Sequence, residues 1–294
     1  MHRILDLARR RERGPVRPPA APGPGVVRAR SLCVASGKGG TGKSVVAGSL
    51  GRLLARQRRT VLVDGDLGVG NAHILQGLQP TACLSQHLAG QRHLAAMAEP
   101  CGGGLDLVAS GSGQAALADL GRRDLARLGE GLAELERAYG YLLMDCGAGI
   151  SPATLGFARA ADQLLLVVTP DLTSLTDAYA LLKVLGIPRT GPAPLVLVNR
   201  AADDDQAQDA FQRLDQVARR FLGRGPRLVG WLPEDPEVVT SVNHRAPLVE
   251  HSPTSPAALA LARLAVELRE ALDACHPRGL GLRLAGGAAL AAPA

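Results

Sequence analysis

Lysine is almost missing from this chain of 294 residues, which has thirty arginines but only Lys38, Lys43 and Lys183. Long apolar runs are missing as well. No segment is long enough for a helical membrane span or the core of a secretory leader, so a cytoplasmic protein is expected. The five cysteines, Cys33, Cys83, Cys101, Cys146 and Cys275, are odd in number and widely spaced, with no C-x-x-C pair. That spacing excludes the usual zinc and iron–sulfur sites and leaves reduced thiols, with Cys33 acting as a small hydrophobe in an apolar run. The sequence has no internal repeat and no second phosphate-loop motif. Excess charge is also missing from most of the chain. Residues 1–30 hold eight arginines against Asp6 and Glu12, which accounts for the whole net charge of +6. Residues 31–294 carry 25 groups of each sign, so the body is not a general nucleic-acid binder by charge, and specific nucleic-acid recognition is not expected. The basic leader could meet DNA, anionic lipid or an acidic partner. It could equally be solvated chain, since Pro15 to Gly25 is rich in proline and glycine.

Two of the three lysines lie five residues apart in Gly37-Lys38-Gly39-Gly40-Thr41-Gly42-Lys43-Ser44, which fits G-x-x-x-x-G-K-[ST]. Glycines in this pattern let consecutive backbone N–H groups close around a di- or triphosphate, and a compact ammonium fits among its oxygens better than a planar guanidinium. An apolar run, Ser31 to Ala35, precedes the loop, and a helical pattern from Val45 to Gln57 follows it. Strand, glycine loop and helix in that order aim a helix N-terminus at an anion, with Val45 completing the cradle. Apolar runs alternate with helical stretches through the rest of the chain. This predicts one doubly wound, mostly parallel α/β sheet with helices on both faces and strands at 31–35, 60–64, 105–109, 141–145, 163–169, 195–199 and 227–231. The expected organisation is a basic tail over 1–30, a nucleotide-binding domain over 31–275 and a flexible tail over 276–294.

Each strand end carries chemistry. Lys43 is placed to reach the β- and γ-phosphates, and the Ser44 hydroxyl to ligate Mg²⁺. Lys38 is a second cation that one subunit does not need for holding phosphate, which suggests charge supplied to a transferring phosphoryl group. The run 60–66 ends in Asp64 and Asp66. Asp66 is assigned to the attacking water and Asp64 to the magnesium's outer shell. A second strand ends in Asp145, read as a metal-side acid, and Gly147 follows with an N–H for the γ-phosphate. Asn199-Arg200 and Pro233-Glu234 close two later strands and are suited to reading an adenine edge.

Together these residues resemble the ParA/MinD family of deviant Walker A ATPases, over about residues 31–272. Within it the chain is most similar to the FlhG branch, also called FleN or YlxH, which sets flagellar number and placement. Asp66-Leu67-Gly68-Val69-Gly70-Asn71, Gly147-Ala148-Gly149-Ile150-Ser151 and the segment Thr173 to Lys183 carry that closer likeness. The resemblance implies an ATP- and Mg²⁺-dependent homodimer in which Lys38 of each copy contacts the other copy's nucleotide. It implies that hydrolysis resets binding to a partner or to the inner membrane face. The implied partner is a flagellar GTPase or regulator, and the alternatives are a division-site or partitioning ATPase and, further off, a metabolic enzyme on the same fold. Two segments depart from the branch. Asp6-Leu7-Ala8-Arg9 only partly matches its GTPase-stimulating motif, D-Q-A-x-x-L-R. At the other end, Pro256 to Ala274 has core-like leucine spacing, and Pro277 to Leu284 is a short, glycine-broken candidate for weak membrane contact.

Overall fold

The computed structural model describes residues 28–111, 120–187 and 191–287. Eight strands form one sheet: β1 (Arg30–Ser36), β2 (Thr60–Gly65), β3 (Glu99–Gly102), β4 (Leu105–Val108), β5 (Tyr141–Ala148), β6 (Gln163–Val168), β7 (Leu195–Ala201) and β8 (Arg227–Pro233). Their spatial order is β3-β4-β2-β5-β1-β6-β7-β8. Every neighbouring pair is parallel except β3–β4. The connecting helices begin with α1 (Lys43–Ala55), α2 (Ala72–Leu75), α3 (Leu84–Leu88), α4 (Arg122–Leu135), α5 (Pro152–Ala160) and α6 (Leu172–Leu185). They continue with α7 (Asp204–Leu222), α8 (Pro236–Asn243), α9 (Leu248–His251), α10 (Pro256–Ala274) and α11 (Leu280–Ala285).

The central strands are apolar at almost every position because both faces are covered. Alternation then sorts their side chains into two layers. Cys33, Val63, Met144, Leu166 and Val198 pack beneath α4, α5, α6 and α7, while Leu32, Leu62, Leu143, Leu165 and Leu197 pack beneath α1 and α10. In α10, Leu261, Leu264, Leu268 and Leu272 are buried, as their spacing predicts. All seven expected strands are present, with ends shifted by at most three residues.

The structure differs from expectation in two elements. β3 was not anticipated: Glu99-Pro100-Cys101-Gly102 has neither apolar alternation nor β-branched residues, and it pairs only as an antiparallel edge through a tight glycine turn. The second is the segment expected to be a flexible tail after residue 275. Its residues 280–285 form α11, with Leu280 and Leu284 fully buried against α4 and α5. The helices can touch because Gly129 faces Gly281. A Cβ on Gly281 would lie 2.2 Å from the Ala133 nitrogen and 2.5 Å from the Gly129 oxygen. Glu136 fastens the start of α11, its Oε1 accepting the Leu280 N–H at 2.6 Å and its Oε2 the Gly281 N–H at 3.3 Å. Leu280 and Leu284 are therefore committed to the protein interior, which leaves only Leu282, 45% exposed, as an outward-facing leucine of the candidate membrane segment. The Asp6 to Arg9 motif and the rest of the basic leader through residue 27 lie outside the described residues, as do 288–294. Among the described residues, no helix is long and apolar enough to cross a membrane.

Candidate phosphate-binding site

The parallel sheet delivers five loops to one edge, at the C-terminal ends of β1, β2, β5, β6 and β7, where ligands of such sheets sit. The loop after β1 is seated on α6 so closely that a Cβ on Gly37 would lie 2.2 Å from the Asp177 backbone carbon. Gly42, at φ 87°, turns the chain into α1 without any side-chain cap. The first-turn N–H groups of Lys43, Ser44 and Val45 are thus left for a ligand, at the positive end of the helix dipole.

Lys43 and the acids converge on this helix end. The Lys43 ammonium is 4.0 Å from Asp66 Oδ2. Asp145 is buried and takes a hydrogen bond from the Ser44 hydroxyl, while its Oδ1 has no partner. Burial raises its pKa to about 6, against the pull of Lys43 and Ser44. An unpartnered buried carboxylate oxygen beside a hydroxyl suits Mg²⁺, which takes one or two protein oxygens and keeps waters for its remaining positions. Asp64, the register partner of Asp145, is fully buried, and its pKa rises to about 7, first from burial and then from the Asp145 charge. Both Asp64 oxygens already accept backbone N–H groups of the following loop, from Asp66 at 3.2 Å and Ala72 at 3.1 Å. Gly147 follows Asp145 and packs near Asp66, and its carbonyl accepts the Thr154 hydroxyl.

Other expected residues have different surroundings from those anticipated. The Lys38 ammonium donates to Asp171 Oδ1 at 3.2 Å and to Thr173 Oγ1 at 2.7 Å, within its own chain. Hydrogen bonds from the Thr169 and Thr173 hydroxyls hold Asp171 well below the usual carboxylate range. Asn199, expected to read adenine, uses both ends of its amide internally: Nδ2 donates to the Thr41 carbonyl at 2.7 Å and Oδ1 accepts the Arg200 N–H at 3.0 Å. It braces the phosphate loop from the side that a Gly42 Cβ would occupy. Arg200, at φ 61°, pairs with Glu234 at 2.9 Å, and Pro233 ends β8 opposite Ala201. Arg200 and Glu234 border a cleft of about 410 Å³ whose other wall includes Lys38, Gly40, Thr41 and Asp171. A larger cavity, about 620 Å³, opens near the starts of β6, β7 and β8 and contains none of these residues.

Sequence reasoning missed Asp171 as the partner of Lys38, although an Asp capping a helix directly after a strand was the available signal. It also missed that Cys33 and Cys146 meet across β1 and β5, with their sulfurs 3.2 Å apart in the core. Among the described residues, no group of three or more His, Cys, Asp or Glu is gathered for a metal.

Residues 32–248 match the CobQ/CobB/MinD/ParA nucleotide binding domain. The antiactivator FleN of Pseudomonas aeruginosa is 33% identical over 249 residues, covering 84% of this chain and 89% of FleN. Among solved structures, the cell division ATPase MinD of Pyrococcus furiosus superposes with a TM-score of 0.70 at 26% identity, covering 83% of this chain and 99% of MinD. The septum site-determining protein MinD of Pyrococcus horikoshii, complexed with Mg-ADP, has a TM-score of 0.69 at 26% identity, over 83% of this chain and 97% of that one.

Proposed function

The chain belongs to the CobQ/CobB/MinD/ParA nucleotide-binding domain family, and we propose that it is an Mg²⁺-dependent ATPase that dimerises on ATP and hydrolyses it to reset binding to a partner protein. The observation that carries this reading is the meeting of an uncapped helix start, the Lys43 ammonium and the unpartnered Asp145 oxygen at one point of the sheet edge. The N–H groups of residues 39–45 and Lys43 bind the phosphates. Ser44 and Asp145 would hold Mg²⁺, which when bound neutralises charge on the β- and γ-oxygens. Asp66, half-buried beside Lys43, orients the attacking water and accepts its proton. Lys38 exchanges Asp171 for the phosphoryl group of a facing copy. Support for that facing copy comes from bare apolar side chains on the same edge: Val69 is 65% exposed, Ile150 51% and Leu172 72%.

The FleN likeness agrees with the branch resemblance read from the sequence, and on that resemblance we propose a cytoplasmic role in setting flagellar number or placement, with a flagellar GTPase or regulator as partner. The MinD likeness supports a division-site role as the second reading. Phosphate release and solution mass with Mg-ATP test the biochemical proposal. Hydrolysis should accompany a doubling of mass that ADP does not cause, and finding neither overturns it. Counting flagella and mid-cell septa in a deletion strain separates the two cellular roles.

A further inference from the structure

We infer that Asp64 is a positioning residue that holds the loop carrying Asp66 in its working conformation, and that it does not serve the magnesium side of the site. The inference rests on the ATPase reading above, because it concerns the aim of the proposed water-directing acid.

Three observations converge on it. First, Asp64 sits near the end of β2 with no solvent exposure, and its two oxygens divide between the two ends of one loop. Oδ1 accepts the Asp66 N–H at 3.2 Å and Oδ2 the Ala72 N–H at 3.1 Å. The carboxylate thereby staples a seven-residue excursion, 66–72, to the sheet. Second, the loop lies directly on it: a Cβ on Gly70 would be 2.5 Å from Asp64 Oδ2 and 1.7 Å from Ser110 Oγ. Third, the neighbouring acid is complementary in state. Asp145, opposite Asp64 across β2 and β5, keeps Oδ1 unpartnered and its other contact on Ser44. One buried carboxylate is spent on backbone and the other is left for a cation.

Leu67 anchors the loop in the core at 4% exposure, but it fixes a side chain and not the aim of the neighbouring carboxylate. Val69 is 65% exposed, and the Val69 N–H donates to Asp66 Oδ1 at 3.2 Å, a bond internal to the loop. The staple fixes the Asp66 backbone N–H itself to the strand end, and so contributes directly to the aim of Asp66 at Lys43. A displacement of about 1 Å in a group that orients a reactant can lower turnover roughly 100-fold.

Asp64→Asn tests this with minimal change of shape, because the amide keeps one acceptor and leaves the other N–H unpaired. Gly70→Ala is the second variant: its methyl would lie 2.5 Å from Asp64 Oδ2, so it pushes the loop off the carboxylate without changing the carboxylate itself. Each should lower kcat for Mg-ATP by roughly 100-fold, with KM and half-saturating Mg²⁺ unchanged. Amide exchange should show lost protection at Asp66 and at Ala72 in both variants. The inference is overturned if half-saturating Mg²⁺ rises in step with the loss of kcat in Asp64→Asn, or if both variants turn over at the wild-type rate. Should the wild-type protein hydrolyse no ATP, the ATPase reading falls by itself. Amide exchange then still decides the staple, since unchanged protection at 66 and 72 in Asp64→Asn rules it out.

Discussion

Glu136 has no solvent exposure, and among the described residues no ion pair within 4 Å holds it, unlike most buried acids. Its carboxylate spends both oxygens on backbone N–H groups at the start of α11. Burial raises its pKa to about 7 and nearby Asp162 adds to the rise, while the two N–H groups and Arg28 oppose it. The folded protein therefore keeps a proton that the unfolded chain releases near pH 4.5. Its contribution to stability is complete below that pH and is lost as the pH climbs through 7. Glu136→Gln should remove a pH-dependent component on the order of 3 kcal/mol. Urea unfolding of both proteins at pH 5 and pH 8 checks this: equal pH differences in the two would show that Glu136 does not titrate on unfolding. Asp64 and Asp145 shift in the same direction but are present in both proteins, so the comparison isolates Glu136. Nothing in the local sequence around Glu136 marked it, because its partners are backbone groups 144 and 145 residues away. Lys43, Ser44 and Asp145 were legible for the opposite reason: phosphate and cation chemistry demands those residue types at fixed offsets from a strand end. Asn199 was legible as important, but its role was not, since an amide can serve a ligand or a loop equally well.

The strands of the sheet announced themselves because a parallel strand covered on both faces must be apolar at nearly every position. β3 gave no such signal, since an edge strand of four residues has only one neighbour to satisfy. α11 is the instructive case at this scale. A short, glycine-broken leucine segment reads the same whether it hangs free, meets a membrane or docks. Which of these happens depends on Gly129 and Ala133 of α4 facing Gly281 and Ala285 at contact distance. Gly281→Ala should therefore destabilise the protein, by about 1–3 kcal/mol, through overpacking against backbone that cannot move aside. Leu282→Ala, next to it on the 45% exposed side of α11, should cost much less. Thermal unfolding of the two variants side by side is the measurement. An alanine at 281 as stable as glycine would mean that the crossing is looser than these distances imply.

At the scale of the whole molecule, the excess positive charge lies in the leader, and residues 31–294 are formally neutral. Association of two copies therefore meets no general repulsion. The proposed association rests instead on local features of the nucleotide edge: three bare apolar side chains, and a lysine held by an acid of its own chain. A second copy was expected from the family resemblance and not from any residue pattern, because nothing in one chain's sequence says which of its surfaces meets itself. The contact between Lys38 and Asp171 makes the idea testable. That ion pair is exposed, 41% and 47% at the two side chains, and exposed pairs are weak, so a triphosphate in a facing copy would readily outcompete it. Lys38→Ala should thus leave the monomer's stability nearly unchanged, abolish the mass doubling with Mg-ATP and lower kcat on the order of 1,000-fold, as loss of a cation supplied in trans does. Leu172→Asp alters none of the proposed phosphate ligands and should also keep the protein monomeric, because it replaces the most exposed of the three apolar side chains with a charge. Light scattering with and without Mg-ATP reads both variants. If Lys38→Ala doubles its mass and turns over normally while Leu172→Asp stays monomeric, the edge is an interface but Lys38 does not act across it.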